Sequence, residues 1–503
     1  MEVWQQDWMA KWAVYSPHKI ALKEYETGST LSYLQLNSLG NKLSFYLTEQ
    51  LNLIKGDRIA FVAENCLEYL LFFVAAQKTG IILVPLNYRL TTTELNHLIE
   101  ISDPKFLVHD NVYKEKVSQT EFSKNKSNEV FEITDFSEIL NNLEDKKHKT
   151  DFPINIVDEN HPIFILFTSG TTGIPKGAMY THKMLFWNSI NTAISLVINT
   201  DTKTINCMPP FHTGGWNVLV TPVLHHGGSL VIIKSFCAKT ILNLIEEERF
   251  TLFMGVPTML KMMSEEPSFK TTDFSSLMYF IVGGEAMPIS LIEAWKKQGV
   301  LIRQGYGLTE VGPNLTSLHQ DDAIRKKGSI GRPNFYVQTK IVNENGIEVG
   351  KNQKGELLLK GPMVSPGYWK NEQATKESLK DGWFYTGDVV ISDDEDYLFV
   401  VDRIKNMFIS GAENVYPAEI ERVLQDHPAV LEVAVISVSH EKWGEVGKAF
   451  IVTAEKSLTE KEILDYCQVK LAKFKIPKYI EFLKEIPKND TGKIDRKLLK
   501  NKQ

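Results

Sequence analysis

A chain of 503 residues with 43% hydrophobic content is too long for one core, so it should divide into two or more globular domains. A net charge of −6 and a pI of about 6.1 give no electrostatic footing for nucleic acid or for an anionic membrane surface. Cys66, Cys207, Cys237 and Cys467 lie far apart with no CxxC, which gives neither a disulfide framework nor a zinc motif and fits a reducing compartment.

The first eight residues, Met1 to Trp8, lack the basic and apolar regions of a secretory signal, and a soluble, cytoplasmic protein is expected. Leu34 to Leu51 carries helical periodicity, Arg58 to Ala63 reads as a strand, Glu68 to Thr79 as a helix and Ile81 to Pro85 as a strand. Such alternation predicts parallel sheets covered by helices. The longest apolar stretch, Leu70 to Leu86, is broken by Gln77-Lys78 and falls short of a membrane span. Asn111 to Asp151 is polar and lysine-rich and is expected to be peripheral. His161 to Phe167 reads as a short buried strand.

Next comes Phe167-Thr-Ser-Gly-Thr-Thr-Gly-Ile-Pro-Lys-Gly177, the most informative stretch of the chain. Its glycines, hydroxyls and one lysine leave little to pack, but offer backbone N–H groups, acceptors and a cation around a concavity. That is chemistry for holding a polyphosphate. It is not a Walker A loop, which would need glycine at Pro175. Trp187, Ile190, Ile194 and Val197 follow at helical spacing, so strand, glycine loop and helix are expected in that order. A further strand–helix series runs through Ser229 to Ile233 and Tyr279 to Val282. From about Gly350 short strands and glycine turns predict a small barrel-like β subdomain ending near Asp402. The last hundred residues read as a compact α+β unit. Pro417 opens a helix, strands follow at Glu432 to Val438 and Lys448 to Thr453, and Thr459-x-x-Glu462 is a capping box.

The run SGTTGxPKG resembles the phosphate-binding loop of the adenylate-forming superfamily: acyl-CoA synthetases, beetle luciferases and peptide-synthetase adenylation domains. Later motifs extend the resemblance from residue 167 to residue 493. The loop residues Thr168, Ser169, Gly170, Thr171, Thr172, Gly173 and Lys176 are then implied to cradle ATP. Gln304-Gly-Tyr-Gly-Leu-Thr-Glu310 is similar to the family's YGxTE motif, which implies Tyr306 on the adenine, Gly305 at the acyl substrate, Thr309 and Glu310 at the phosphates, and Mg²⁺ on Glu310 and Thr171. Gly283, Gly284, Glu285 and Ala286 look like the strand end along the purine, with Gly283 bordering the acyl site. Asp388 and Arg403 resemble the ribose contacts.

Arg403-Ile-Lys405, continuing to Gly411-Ala-Glu-Asn-Val-Tyr-Pro417, resembles the interdomain hinge with Lys405 at the pivot. Ala412 departs from the second glycine of many relatives. Pro487 to Lys493 resembles the terminal PxxxxGK motif, whose lysine is expected to reach the carboxylate and α-phosphate. The resemblance implies an α/β fold: a large N-terminal domain (1–404) of stacked, parallel-rich α/β sheets with the small β-barrel-like subdomain, and a small mobile α+β C-terminal domain (405–503). It implies an AMP-forming reaction of a carboxylic acid with ATP, followed by transfer to coenzyme A.

The acyl site is expected near Pro210-Phe-His-Thr-Gly-Gly-Trp-Asn217. Amino-acid-activating relatives usually carry Asp after this Phe. His212 supplies no fixed negative charge, which disfavours an amino acid and leaves open a pocket role or a buried, satisfied histidine. Trp216 and Met208 suggest an apolar channel for a fatty or aryl acid. Trp443, Phe474, Lys475 and Lys478 resemble coenzyme A contacts, with Ile476 standing where some relatives are basic, and a solvated basic helix end as the plainer reading. The expectation is a medium- or long-chain fatty acyl-CoA synthetase. An aryl-CoA ligase of benzoate, coumarate or succinylbenzoate type, or a stand-alone enzyme loading a carrier protein, is the alternative.

Overall fold

The structure is a computed structural model that describes residues 6–143, 152, 154–168, 175–284, 287–410, 413–455, 457–489 and 493–501. Its contacts group the chain into two compact units. The first joins Met1–Thr339 to Leu359–Phe384, and the second joins Lys340–Leu358 to Tyr385–Gln503.

The first unit is built on three sheets. One runs Val130–Glu132, Phe106–His109, Arg58–Val62, Ile82–Pro85, Pro162–Thr168 and Lys176–Thr181, parallel except for its last pair. A second aligns Ile20–Glu24, Ser229–Ile232 and Lys203–Asn206 in parallel, with Thr30–Ser32 antiparallel at the edge. The third places Leu252–Gly255, Tyr279–Val282 and Ile302–Tyr306 in parallel, then Thr316–Leu318 and Arg332–Pro333 antiparallel.

The helix Leu67–Thr79 shows why so apolar a segment need not enter a bilayer. Every one of its residues but Glu68 is buried in the first core cluster or beside it, and Gly80 ends it in the left-handed region. Gln77 and Lys78, which break the hydrophobic run in the sequence, are buried too. Lys78 Nζ meets Asp7 Oδ2 at 2.5 Å and Asn37 Oδ1 at 2.9 Å, so its charge is paired rather than solvated. Among the described residues no helix is long and apolar enough to cross a membrane.

Two expectations are corrected here. The glycine loop does not lead straight into a helix: Lys176–Thr181 forms a strand antiparallel to Pro162–Thr168, and the helix His182–Leu196 comes after it. Nor is 111–151 wholly peripheral, because Val130–Glu132 joins the first sheet and Phe136 and Leu140 are 1% and 2% exposed in its core.

The second unit centres on the antiparallel pair Glu432–His440 and Gly444–Val452. Their side chains alternate between two cores. Val433 and Val435 join Ile420, Leu424 and Ile463 of the helices Pro417–Gln425 and Glu460–Lys470, while Ala434 and Ile436 join Phe450, Ile486 and Leu499 on the other face. The capping box at Thr459 is formed as expected, with both reciprocal bonds present. Trp383–Ser392 and Leu398–Arg403 pair antiparallel, with Asp388 opposite Arg403.

Candidate active site

In an open parallel sheet, ligands gather at the carboxyl ends of the strands, where backbone N–H groups and loop side chains converge. The third sheet presents such an edge. Val282 pairs with Gln304, so Gly283 and Gly284 leave one strand beside Gly305 and Tyr306 at the end of the next. Gly284 takes φ +87°, a conformation that favours glycine. Gly307 is required by close packing. A Cβ there would stand 2.2 Å from the Pro313 carbonyl oxygen, so the turn closes backbone against backbone.

Thr309 and Glu310 sit in the short 3-10 turn Thr309–Val311. Glu310 is the meeting point of two distant segments, one at Thr168 and one at Ser365–Tyr368. Its Oε1 accepts from the Tyr368 hydroxyl at 2.9 Å and from Thr168 Oγ1 at 3.3 Å, and its carbonyl accepts from Ser365 N at 2.8 Å. Thr168 pairs in register with Lys176, so both flanks of the glycine loop are fixed by the hairpin, and Lys176 Nζ lies 5.2 Å above the Tyr368 ring. Burial and the Glu310 charge push the Tyr368 phenol far above its ordinary range, so it remains a hydrogen-bond donor.

Tyr368 has no local sequence signal for this contact; the structure alone brings it in. Trp369 N donates to Gly177 O at 2.7 Å and Met179 N to Gly367 O at 3.1 Å, which lays Gly367–Trp369 along the hairpin. A Cβ at Gly367 would meet Thr375 at 2.4 Å, and its φ of +140° likewise calls for glycine.

No group of three His, Cys, Asp or Glu among the described residues could cage a metal. One carboxylate flanked by hydroxyls nonetheless fits Mg²⁺, which keeps its own waters and takes its remaining ligands from phosphates. Ser169, Gly170, Thr171, Thr172 and Gly173 of the loop lie outside the described residues, as do Glu285, Ala286 and Gly411.

The segment expected to hold the acyl group is anchored from beneath. Trp216 is 2% exposed, donates Nε1–H to Pro210 O at 2.7 Å, and packs against Tyr69, Phe73 and Phe164. It belongs to the core and does not line an open channel: the ring that looked like pocket wall is the anchor of the Pro210–Gly214 turn. His212 is half-buried against Phe211, and its backbone closes the turn with Pro209 and Gly215.

The helix His182–Leu196 faces this region with polar residues. Asn188 donates to Asn217 O at 2.7 Å, Asn217 to Thr213 Oγ1 at 3.2 Å, and Asn314 to Thr192 Oγ1 at 2.7 Å, all buried or nearly so. Its apolar stripe lies on the less buried side, where Ile194 is 41% exposed and Val197 lies beyond the helix end.

In the second unit, the buried Asp388 carboxylate meets Arg403 Nε at 2.9 Å. Desolvation and the charges of Arg403, Lys497 and Lys493 lower the Lys405 ammonium below the lysine range, with Asp388 acting the other way. Lys493 is exposed, its segment closed by Asn489 N donating to Lys493 O at 2.7 Å. Trp443 and Phe474 are exposed, and Ser410 pairs with Gly444, which sets the Trp443 turn beside the strand Phe408–Ser410. Lys475 departs from the expectation. Its ammonium is held by Glu419 at 2.6 Å, so of the two lysines expected at coenzyme A phosphates only Lys478 is exposed.

Comparison with known proteins agrees with this geometry. Residues 9–369 match the family model of the AMP-binding enzymes, and residues 419–493 match that of the AMP-binding enzyme C-terminal domain. A feruloyl-CoA synthase of an Amycolatopsis species is 35% identical over 97% of this chain and 96% of its own. The long-chain-fatty-acid–CoA ligase FadD13 of Mycobacterium tuberculosis is 33% identical over 98% and 97%. Among solved structures, the o-succinylbenzoate CoA synthetase MenE from Bacillus subtilis, in complex with the acyl-adenylate intermediate OSB-AMP, superposes with a TM-score of 0.87 at 29% identity, covering 98% of each chain.

Proposed function

We propose, on the premise that this chain belongs to the AMP-binding enzyme family, that it joins a hydrophobic carboxylic acid to coenzyme A through an acyl-adenylate. It is an AMP-forming acid–thiol ligase that uses ATP, Mg²⁺ and coenzyme A. The observation that carries the reading is the convergence of Thr168 and Tyr368 on Glu310, with Lys176 over the Tyr368 ring, which links the flank of the glycine loop to a carboxylate 142 residues away.

The chemistry follows from the charges. A carboxylate is a poor electrophile, and its conversion to an anhydride with AMP supplies a leaving group. The obstacle is the approach of two anions, carboxylate and α-phosphate. No general base is needed, because the acid is already ionised near pH 7. The glycine loop and Lys176 take phosphate charge, Glu310 with Thr171 offers the Mg²⁺ position, and Lys493 adds a cation during activation. Bound Mg²⁺ contributes charge neutralisation of the phosphates. Asp388 and Arg403 take the ribose, and Tyr306 with Gly283–Ala286 takes the adenine. Lys405 serves as the pivot between activation and thiol transfer, so the working division of the chain falls at residues 404 and 405.

The substrate is a medium- or long-chain fatty acid. His212, in place of a fixed negative charge, argues against an α-ammonium group. A specific observation favours aryl acids as the second reading: the feruloyl-CoA synthase is as similar as the fatty-acid ligase. Pyrophosphate release across short to long aliphatic acids, aryl acids and α-amino acids, with and without coenzyme A, tests this. Fatty or aryl acids should release pyrophosphate, with AMP release dependent on coenzyme A. Amino-acid-dependent release well above the no-acid control would contradict it.

A further inference from the structure

One carboxylate spans the pivot. Asp402, 5% exposed, ends the strand Leu398–Arg403, and each of its oxygens has a partner on the far side of residues 404 and 405. Oδ1 accepts from Arg403 N at 2.6 Å and from Asn406 Nδ2 at 2.9 Å, while Oδ2 accepts from Ala418 N at 2.7 Å. Ala418 follows Pro417 at the start of the helix Pro417–Gln425, where an amide has no partner within the helix and a negative charge is favoured. Asp402 therefore caps, from sixteen residues upstream, a helix that lies beyond the pivot.

Other contacts fasten the same helix to the same strands. Arg422 Nη2 donates to Val400 O at 3.0 Å, Lys354 pairs with Glu419, and Val389, Val401 and Tyr416 form a small apolar cluster with Met407. A rotation about Lys405 must break the bonds from Asp402 to Asn406 and Ala418. In the arrangement they hold, the charges of Arg403, Asp388, Lys497 and Lys493 all act on Lys405, so the terminal lysine is within electrostatic reach of the pivot.

We propose that Asp402 is a positioning residue that holds the arrangement used for acid activation, and so sets how the enzyme divides its rate between activation and thiol transfer. This rests on the reading of Lys405 as the pivot. It predicts an asymmetric defect: loss of the carboxylate slows the half-reaction that uses the held arrangement and spares or quickens the one that must leave it.

The test compares both half-reactions in single turnover for wild type, Asp402→Ala and Asn406→Ala. Activation is read as acyl-AMP formed from acid and ATP, and transfer as acyl-CoA formed from chemically supplied acyl-AMP and coenzyme A. Asp402→Ala should slow activation by about tenfold, the loss expected for charge-assisted hydrogen bonds. Asn406→Ala, which keeps the carboxylate and the helix cap, should shift the ratio in the same direction by a smaller factor. Transfer should stay at or above the wild-type rate in both. Equal losses in the two half-reactions, or an unchanged ratio in both variants, would overturn the proposal while leaving the ligase reading intact. If Asp402→Ala fails to fold, the Asn406→Ala ratio decides alone. A wild-type enzyme that performs neither half-reaction with any acid would overturn the ligase reading and this proposal with it.

Discussion

The two ends of the proposed reaction are built on different kinds of support. Glu310 is held in the first unit by Tyr368, Thr168 and the Ser365 amide, which come from a hairpin and the segment laid along it. Behind it, Gly307 and Gly367 allow packing so close that a single Cβ would collide. In the second unit, Lys405 and Lys493 stand on a 3-10 turn and a terminal segment, fastened by the hydrogen bonds of Asp402 and by the Arg496–Glu421 pair at 2.6 Å. Close packing tolerates few arrangements, whereas a few polar bonds can be exchanged for others at small cost. The difference suits the proposed reaction, in which the first region holds phosphates still and the chain beyond Lys405 changes its arrangement between the two half-reactions.

Breaking the rigid side should have the largest effect. Glu310→Gln keeps the shape but removes the charge at the proposed Mg²⁺ position. Acyl-AMP formation should fall by roughly 10²–10³, as when one preorganised electrostatic group is lost. A loss confined to a few-fold would move the metal position elsewhere. The pivot comes next. Lys405→Pro fixes φ and restricts rotation, so it should keep much of the activation rate and lose most of the transfer to coenzyme A. Equal loss in both half-reactions would make Lys405 a structural residue. Tyr368→Phe sharpens the comparison most finely. It removes one hydroxyl donor from a carboxylate and should slow activation by roughly 10- to 100-fold, since such bonds contribute about 1.5–3 kcal/mol. Transfer from supplied acyl-AMP should be unchanged, and a parallel fall in transfer would place Tyr368 in general packing instead.

Much of the scaffold is legible in the sequence, because burial leaves a periodic signature. The strands Arg58–Val62 and Ile82–Pro85, the helix between them, and the terminal hairpin with its capped helix all fall where hydrophobic pattern and cap residues put them. Pattern fails where packing is not apolar. The helix His182–Leu196 buries Asn188, Asn191 and Thr192 and turns its apolar stripe outward, so its periodicity points to the wrong face. The strand Lys176–Thr181 was hidden by its small residues, since Gly177 is there to let Ile165 and Trp369 approach.

The site divides the same way. Glu310 and Asp388 are readable as motif members, and the structure gives each a specific partner. Tyr368 and Asp402 act through contacts with no local pattern, one 58 residues from its partner and the other across a turn. Trp216 shows the opposite failure, a residue in a suggestive motif whose ring serves the core.

The central claim is that the chain beyond the pivot at Lys405 serves activation through Lys493 and must then give way for transfer. Lys493→Ala tests it most directly, with both half-reactions followed in single turnover. Its charge matters when carboxylate and α-phosphate approach and not when a thiol attacks the finished anhydride. Acyl-AMP formation should therefore slow by roughly 10²–10³, while supplied acyl-AMP and coenzyme A still give acyl-CoA at close to the wild-type rate. Activation that survives the substitution within a few-fold, or transfer that falls in step with it, would contradict the account.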